Sequence, residues 1–269
     1  MAFSVVLPTL APSIVFAILF VISSISLGWR TLEHRRYAYF LFFVFSFLRI
    51  AAFIARALWS QDYTSQSKAI ATGVITSGGY FLAIQPLYTV FTEWIDRIIG
   101  LENVSNREKL VIRLIKILIP LCSLIGIVGS VKQFTASSQE QADLGTDLRK
   151  ATALGFLGLL AILLFNTLIY AQRYSNSIEN KGMKRVTKKS ILVLVIGCLL
   201  LISGMIYRTL SVFEPTSDVN KKEWYIYVFA FAPEWILMIF VSVINLEDLL
   251  GKDNFNSDEE ISNKRELAK

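Results

Sequence analysis

Seven long apolar stretches, each bounded by polar or turn-forming residues, dominate the sequence. They run from Leu10 to Gly28, Ala38 to Trp59, Ala71 to Trp94, Leu110 to Val131, Ala151 to Ala171, Ile191 to Leu210 and Tyr225 to Asn245. A helix needs about 20 mainly apolar residues to cross a bilayer, and each stretch meets that length. The chain has 269 residues, of which 54% are hydrophobic, so little sequence is left for a soluble domain. We therefore predict an all-α integral membrane bundle of seven transmembrane helices.

The loops on the two sides of the predicted bundle differ in their content of lysine and arginine. The first, third and fifth loops, with the helix ends that flank them, carry 14 of these residues, whereas the opposite side carries six. Because cytoplasmic loops are enriched in basic residues, we predict that these three loops are cytoplasmic. The N-terminus then lies outside and the C-terminus inside, in agreement with an odd number of spans. The formal net charge of +6 is thereby explained by topology, and we expect no nucleic-acid partner.

Epitope tags test the predicted orientation. A tag placed after Lys269 is expected to be protected when intact cells are digested with protease, and a tag placed before Met1 is expected to be removed. Permeabilised cells, in which both tags should be cleaved, provide the control. Cleavage of the C-terminal tag in intact cells would show that the orientation is inverted.

The transmembrane domain is predicted to cover residues 1–246, and a polar cytoplasmic tail follows over residues 247–269. The tail carries seven acidic and four basic side chains with few apolar ones, a composition typical of a disordered segment. A glycosylation sequon at Asn103, Val104 and Ser105 falls in a loop predicted to be cytoplasmic. We therefore expect Asn103 to carry no glycan, because the transferase acts in the lumen.

The sequence contains few of the residues that catalysis or metal binding needs. His34 is the only histidine, and both cysteines, Cys122 and Cys198, lie inside apolar stretches. Zinc sites need several ligands at defined spacing, and no HExxH, GxSxG or glycine-rich phosphate-loop motif is present. The last apolar stretch has no lysine that could hold retinal as a Schiff base. We therefore expect no enzymatic activity, no metal and no cofactor.

Charged residues inside the predicted spans are the first candidates for a functional site, since they are costly in hydrocarbon. Arg49 and Glu234 lie near the middle of the second and seventh spans, and their matched depth predicts an interhelical ion pair. That pair could fix helix packing alone, or it could form the polar floor of a ligand cavity. Arg56 and Arg208 lie toward the predicted outer ends of their spans. They could snorkel to lipid headgroups, or they could form a cationic rim for an anionic ligand such as a phosphorylated lipid.

Four further polar residues complete the predicted ligand-binding set. Gln85 precedes a mid-span proline, and Asn166 lies in the fifth span, where an interhelical hydrogen bond is the simpler expectation. Tyr207 and Tyr227 lie in the last two spans. The predicted ligand-binding residues are Arg49, Arg56, Gln85, Asn166, Tyr207, Arg208, Tyr227 and Glu234.

Two local sequences carry a resemblance to a known family. The third span contains YFLAIQPLYTVFTEWIDRIIG, an apolar run with a mid-span proline that ends in a basic residue followed by apolar ones. The last two spans contain, in order, Ile206, Tyr207, Arg208, Glu223, Tyr227, Phe229 and Pro233. These features resemble the fungal Rta-type family, named for resistance to aminocholesterol, whose members are described as lipid-translocating exporters or stress-response membrane proteins. The resemblance implies seven spans and a role in lipid translocation or membrane stress.

The chain departs from that family at acidic positions. Ser211 and Ala230 stand where the family has acids, and the second span lacks the family's glutamate before a Gly-Tyr pair. The segments around Arg49, IYRTLSVF and PEWILM are more similar to a second group, the fungal seven-span proteins of unknown function.

Two classes of function fit these observations. The first is a protein of the plasma membrane, rather than of an endomembrane, that binds or translocates a membrane lipid or another amphiphile. The alternative is a seven-helix receptor-like sensor, indicated by the predicted N-terminus outside and by Asp96 and Arg97 at the end of the third span. Such a receptor would recruit a cytosolic partner to the basic loop from Gln172 to Lys189. A scaffold or trafficking role is a third interpretation.

Overall fold

The computed structural model describes residues 8–100, 104–174, 181–214, 222–244 and 246. These residues form seven long helices, and no strand occurs among them. The helices are α1 (Leu10–His34), α2 (Tyr37–Gln61), α3 (Gln66–Ile99), α4 (Asn106–Thr135), α5 (Gln139–Tyr174), α6 (Lys181–Phe213) and α7 (Trp224–Val243). A π-helical turn, Tyr227–Phe231, interrupts α7 near its beginning.

All seven helices are long and apolar enough to cross a membrane, which confirms the prediction of seven spans. Helices suit this environment because all their backbone polar groups are paired within the segment. Several helices continue beyond the apolar stretches that predicted them. Helix α5 has 36 residues and begins at Gln139, well before the apolar stretch that starts at Ala151. The intervening segment is rich in Gln, Glu, Leu, Arg and Lys, which are good helix formers, so the helix extends through it.

The helices form a bundle in which each of the first six packs against the next along the chain. Helix α7 packs against α1 and α6 and so closes the bundle, while α3 also contacts α5 and α6. Side chains fix these contacts to neighbouring backbones: Trp235 of α7 donates to the Leu19 carbonyl at 3.2 Å, and Ser46 of α2 donates to the Phe20 carbonyl at 3.0 Å. The interior between α1, α2 and α7 is largely aromatic.

We call the end of the bundle at which α1, α3, α5 and α7 begin the N-terminal end. Helices α2, α4 and α6 finish at the same end. The orientation of this end relative to the cytoplasm stays a prediction. Asn103, the tail 247–269 and residues 175–180 of the loop from Gln172 to Lys189 lie outside the described residues.

Candidate functional site

A buried ion pair joins α2 to α7 at the centre of the bundle. The Nε of Arg49 lies 2.7 Å from Glu234 Oε2, and its Nη2 donates a hydrogen bond to Glu234 Oε1 at 2.8 Å. The two side chains are 0% and 1% exposed. The ion pair predicted from the matched depth of these residues is therefore confirmed. Burial of either charge alone would be costly, so each side chain depends on the other.

Arg208 of α6 binds the same carboxylate. Its Nη2 donates to Glu234 Oε1 at 3.3 Å, so two arginines from different helices share one acid. The snorkelling interpretation of Arg208 is wrong, because the guanidinium turns into the bundle and its side chain is only 15% exposed. Glu234 thus connects α2, α6 and α7 through charge-assisted contacts.

Aromatic rings surround the two guanidinium groups that share Glu234. The Cζ of Arg49 lies 5.0 Å from the centre of the Phe45 ring, and the Cζ of Arg208 lies 4.3 Å from that of Tyr80. Phe231, in the π-helical turn, also contacts both arginines. Such cation–π contacts offset part of the cost of removing a guanidinium from water. At Gly79 a Cβ would lie 3.0 Å from Arg49 Nη1, so the absence of a side chain there lets α3 approach the guanidinium.

A second ion pair lies closer to the N-terminal end. Arg56 of α2 donates through Nη2 to Glu223 Oε1 at 3.1 Å, and the Tyr227 hydroxyl donates to the same oxygen at 3.0 Å. The backbone nitrogen of Thr9 donates to Glu223 Oε1 at 2.8 Å, and its hydroxyl donates to Oε2. The snorkelling interpretation of Arg56 is therefore wrong as well. Glu223, which the sequence marked only through the family resemblance, ties the segment before α1 to α2 and α7.

The substitution Glu223→Gln tests this second pair. Glutamine keeps the shape of the side chain but leaves the buried Arg56 without a counter-charge, and hydrogen bonds to charged groups are worth about 1.5–3 kcal/mol. We expect a loss of stability of that order and easier proteolysis near Thr9. Thermal unfolding followed by size-exclusion chromatography measures the first effect, and limited digestion with mapping of the cut site measures the second. Unchanged behaviour in both assays would show that the pair contributes nothing to the fold.

A cavity of about 130 Å³ lies beside the central ion pair, between α3, α4, α5, α6 and α7. Its lining residues are Tyr80, Gly126, Arg149, Thr152, Ala153, Phe156, Met205, Tyr207, Arg208, Ser211, Val212 and Ile226. Of the predicted ligand-binding residues, Tyr207 and Arg208 therefore line this cavity. The cavity lining thus contains two arginines and several hydroxyl groups.

Arg149 belongs to the cavity although the sequence assigned it to a loop. The apolar stretch begins at Ala151, so Arg149 counted among the basic residues outside the spans, whereas α5 begins at Gln139. The spacing of Arg149, Thr152 and Phe156 places all three on one helix face. That spacing, together with the helix-forming composition of 139–150, is the signal that could have found this residue.

Two polar atoms at the cavity have no hydrogen-bond partner among the described residues. They are the hydroxyl of Tyr80, a residue that is 4% exposed, and the Nε of Arg208. A buried polar atom without a partner costs about 1–3 kcal/mol. Both atoms belong to residues that line the cavity, and buried polar atoms without a partner are uncommon, so they mark this part of the bundle as a candidate polar site.

One family comparison covers almost the whole described bundle. A family model described as a domain of unknown function, DUF7702, matches residues 10–248. The chain belongs to the DUF7702 family. No curated protein and no solved structure matches it. The DUF7702 match includes all seven helices, both ion pairs and the cavity. Membership of the Rta-type family is not confirmed by this match.

Two predicted ligand-binding residues of this DUF7702 protein, Gln85 and Asn166, belong neither to the cavity lining nor to the two ion pairs. Gln85 is half-buried in α3, where its backbone carbonyl accepts a hydrogen bond from the Thr89 hydroxyl at 3.0 Å. Asn166 donates to the Ile162 carbonyl at 2.8 Å, within α5. The expectation of an interhelical bond from Asn166 is therefore wrong, since the side-chain amide donates to a backbone carbonyl of its own helix.

The described part of the DUF7702 chain contains no group of three or more His, Cys, Asp or Glu side chains that could hold a metal ion. His34 lies at the end of α1, where its ring stacks on Tyr39 with the ring centres 5.7 Å apart. Both cysteines are free thiols. The chemistry available at the cavity is therefore that of arginine and hydroxyl groups.

Proposed function

We propose that this DUF7702 protein binds, and moves across the membrane, a lipid or another amphiphile rather than catalysing a reaction. The observation that supports the proposal is the arginine-lined cavity within a seven-helix membrane bundle, where the Tyr80 hydroxyl and the Arg208 Nε have no partner among the described residues. In this proposal the polar part of the ligand enters the cavity, and the apolar part stays with the helices or the surrounding lipid.

The size of the cavity supports an amphiphile with a small polar part. A cavity of about 150 Å³ holds a benzene molecule, so about 130 Å³ has room for a compact headgroup. The walls combine the polar groups with apolar side chains such as Phe156, Met205 and Val212. Few polar groups on a mainly apolar wall are typical of small-molecule sites.

The translocation part of the proposal rests on the connection between the cavity and the bundle centre. Arg208 lines the cavity and also contacts Glu234, which in turn binds Arg49. A polar headgroup could therefore exchange partners along a series of charged groups instead of entering bare hydrocarbon. A role in membrane stress is proposed from the Rta-type resemblance alone.

Filling the cavity tests the proposal. Leucine in place of Ala153, a buried cavity residue, is expected to reduce lipid binding and lipid movement, whereas leucine in place of Ala161, an exposed position of the same helix, should have no effect. Purified protein is reconstituted into vesicles with fluorescent lipids, and the leaflet distribution is followed by chemical quenching. Retained lipids are identified by native mass spectrometry. If Ala153→Leu is as stable as Ala161→Leu and both proteins bind and move lipid like the unaltered chain, the cavity is not the lipid site.

A receptor-like sensor remains a second candidate because of the π-helical turn in α7. Such turns occur frequently at functional sites, and this one, Tyr227–Phe231, immediately precedes the segment that carries Glu234. A ligand that shifts α7 would change the packing of α7 against α1 and α6. Ligand-dependent recruitment of a cytosolic protein to the loop from Gln172 to Lys189, without lipid movement, would favour the receptor over the translocator.

A further inference from the structure

The charge and the donors of the cavity point to a more specific ligand. We propose that the cavity binds a phosphate monoester, the headgroup of an anionic amphiphile, between Arg149 and Arg208. This inference rests on the proposed function for the presence of an apolar tail, but its evidence is the polar chemistry of the cavity itself.

Charge balance is the first argument. The cavity lining and the two ion pairs together contain four arginines and two glutamates: Arg49, Arg56, Arg149, Arg208, Glu223 and Glu234. Glu223 neutralises Arg56. Glu234 lies closer to Arg49, at 2.7 Å, than to Arg208, at 3.3 Å, so we assign its charge to Arg49. Arg149 donates to the neutral amide oxygen of Gln133. Among the described residues of this set, two positive charges, on Arg149 and Arg208, are therefore left over, and both residues line the cavity. A dianion would balance them.

The lining chemistry selects for the sign of the ligand charge. The described residues that line the cavity include Arg149 and Arg208 but no Asp or Glu. The Tyr80 hydroxyl and the Arg208 Nε, which lack partners in the part of the chain that the structure describes, can each donate a hydrogen bond. The two guanidinium groups would repel a cationic headgroup, whereas an anion would balance their charge, so an anion fits the cavity best.

The arrangement of donors favours a phosphate over a carboxylate. Hydrogen-bond donors come from three helices: Tyr80 from α3, Arg149 from α5, and Tyr207 and Arg208 from α6. A carboxylate has two oxygens in one plane and is satisfied by a single guanidinium fork. A phosphate monoester has three terminal oxygens around a tetrahedral centre, which suits donors that converge from several directions.

Binding measurements on the purified full chain test the inference. The protein is placed in nanodiscs of phosphatidylcholine, with and without phosphatidate, and inorganic phosphate and glycerol phosphate are added as soluble competitors. We expect phosphatidate to bind and to raise the unfolding temperature, phosphatidylcholine alone to have no such effect, and the soluble phosphates to compete weakly. Equal binding of diacylglycerol, which lacks the phosphate, would overturn the inference.

Variants assign the binding to the cavity. Arg149→Gln is expected to weaken phosphatidate binding about tenfold or more, whereas Lys150→Gln, the adjacent cation outside the cavity lining, should bind as the unaltered chain does. Tyr80→Phe removes a hydroxyl that has no partner among the described residues, so it should leave stability unchanged or higher while weakening binding about fivefold. Normal binding by both well-folded cavity variants would overturn the inference.

Two outcomes separate this inference from the proposed function. Lipid binding that Ala153→Leu abolishes, but that does not depend on the headgroup phosphate or on Arg149, would contradict the phosphate site and leave the amphiphile proposal standing. Binding of soluble phosphates that depends on Arg149, with no binding or movement of lipid, would support the phosphate site and contradict the amphiphile proposal.

Discussion

Leucine in place of Glu234 is expected to destabilise this protein more than leucine in place of Arg49. Loss of Glu234 leaves two buried guanidinium groups, those of Arg49 and Arg208, without an acid. Loss of Arg49 leaves Glu234 with Arg208 at 3.3 Å, so the carboxylate keeps a counter-charge. Breaking a buried ion pair costs about 3–5 kcal/mol in soluble proteins, and we expect Glu234→Leu at that level and Arg49→Leu below it.

Replacing both residues should recover only part of the lost stability. The double variant has no unpaired charge at positions 49 and 234, but Arg208 has lost the carboxylate that it contacts. Arg208 also lines the cavity, where water can solvate its guanidinium. Leaving this guanidinium without an acid therefore costs less stability than leaving a fully buried charge unpaired. We therefore expect the double variant to lie between Glu234→Leu and the unaltered chain.

Thermal unfolding of the purified variants, read by the fraction that remains monodisperse in size-exclusion chromatography, measures this order. Glu33→Leu is the control, because Glu33 pairs with Arg30 within one helix and its side chain is 48% exposed. Such surface pairs are worth about 1 kcal/mol or less. A Glu234→Leu protein as stable as the Glu33→Leu control, or Arg49→Leu and Glu234→Leu proteins of equal stability, would contradict the shared carboxylate.

The seven helices could be predicted from the sequence because the bilayer imposes a strict requirement. Each span must be long, apolar and internally hydrogen-bonded, and hydropathy along the chain reports that requirement directly. The ion pair between Arg49 and Glu234 could be predicted for a related reason. Two opposite charges at the same depth in the membrane are stabilised when they pair with each other, so their depth in the spans was enough to identify them as partners.

The rest of the site depends on helix ends and side-chain directions, which hydropathy does not report. Arg208 lies nearer the end of its span, where snorkelling and an inward contact are equally compatible with its depth. Glu223 and Arg149 lie outside the apolar stretches of the sequence, yet the structure places them beside Arg56 and in the cavity. Only the packing of α5 and α7 against their neighbours shows which way these charges point.

Close packing of α4 against α5 supports the wall of the cavity that carries Arg149. Gly145 of α5 lies against the α4 backbone: a Cβ there would lie 2.6 Å from the Gln133 nitrogen and 2.9 Å from the Gly129 oxygen. Small residues at helix contacts allow this kind of approach in membrane proteins. Because both contacts are to backbone atoms, no side-chain rotation could make room for a methyl group.

Alanine in place of Gly145 is therefore expected to separate α4 from α5 and to destabilise the protein. Overpacking of this kind costs about 1–3 kcal/mol, which exceeds the gain of about 1 kcal/mol that alanine offers over glycine in a helix. Gly145 lies one turn before Arg149, whose Nη1 donates to Gln133, so the displacement should also weaken ligand binding at the cavity.

Gly158→Ala is the matched control for this prediction. Gly158 lies in the same helix, and a Cβ built there meets nothing within 4 Å, so only the helix-propensity gain applies. We expect the unfolding temperature of Gly158→Ala to be equal to or higher than that of the unaltered chain, and that of Gly145→Ala to be clearly lower. If both alanine variants gained stability alike, the contact between Gly145 and the α4 backbone would not be part of the folded protein, and the position of Arg149 in the cavity wall would lose its support.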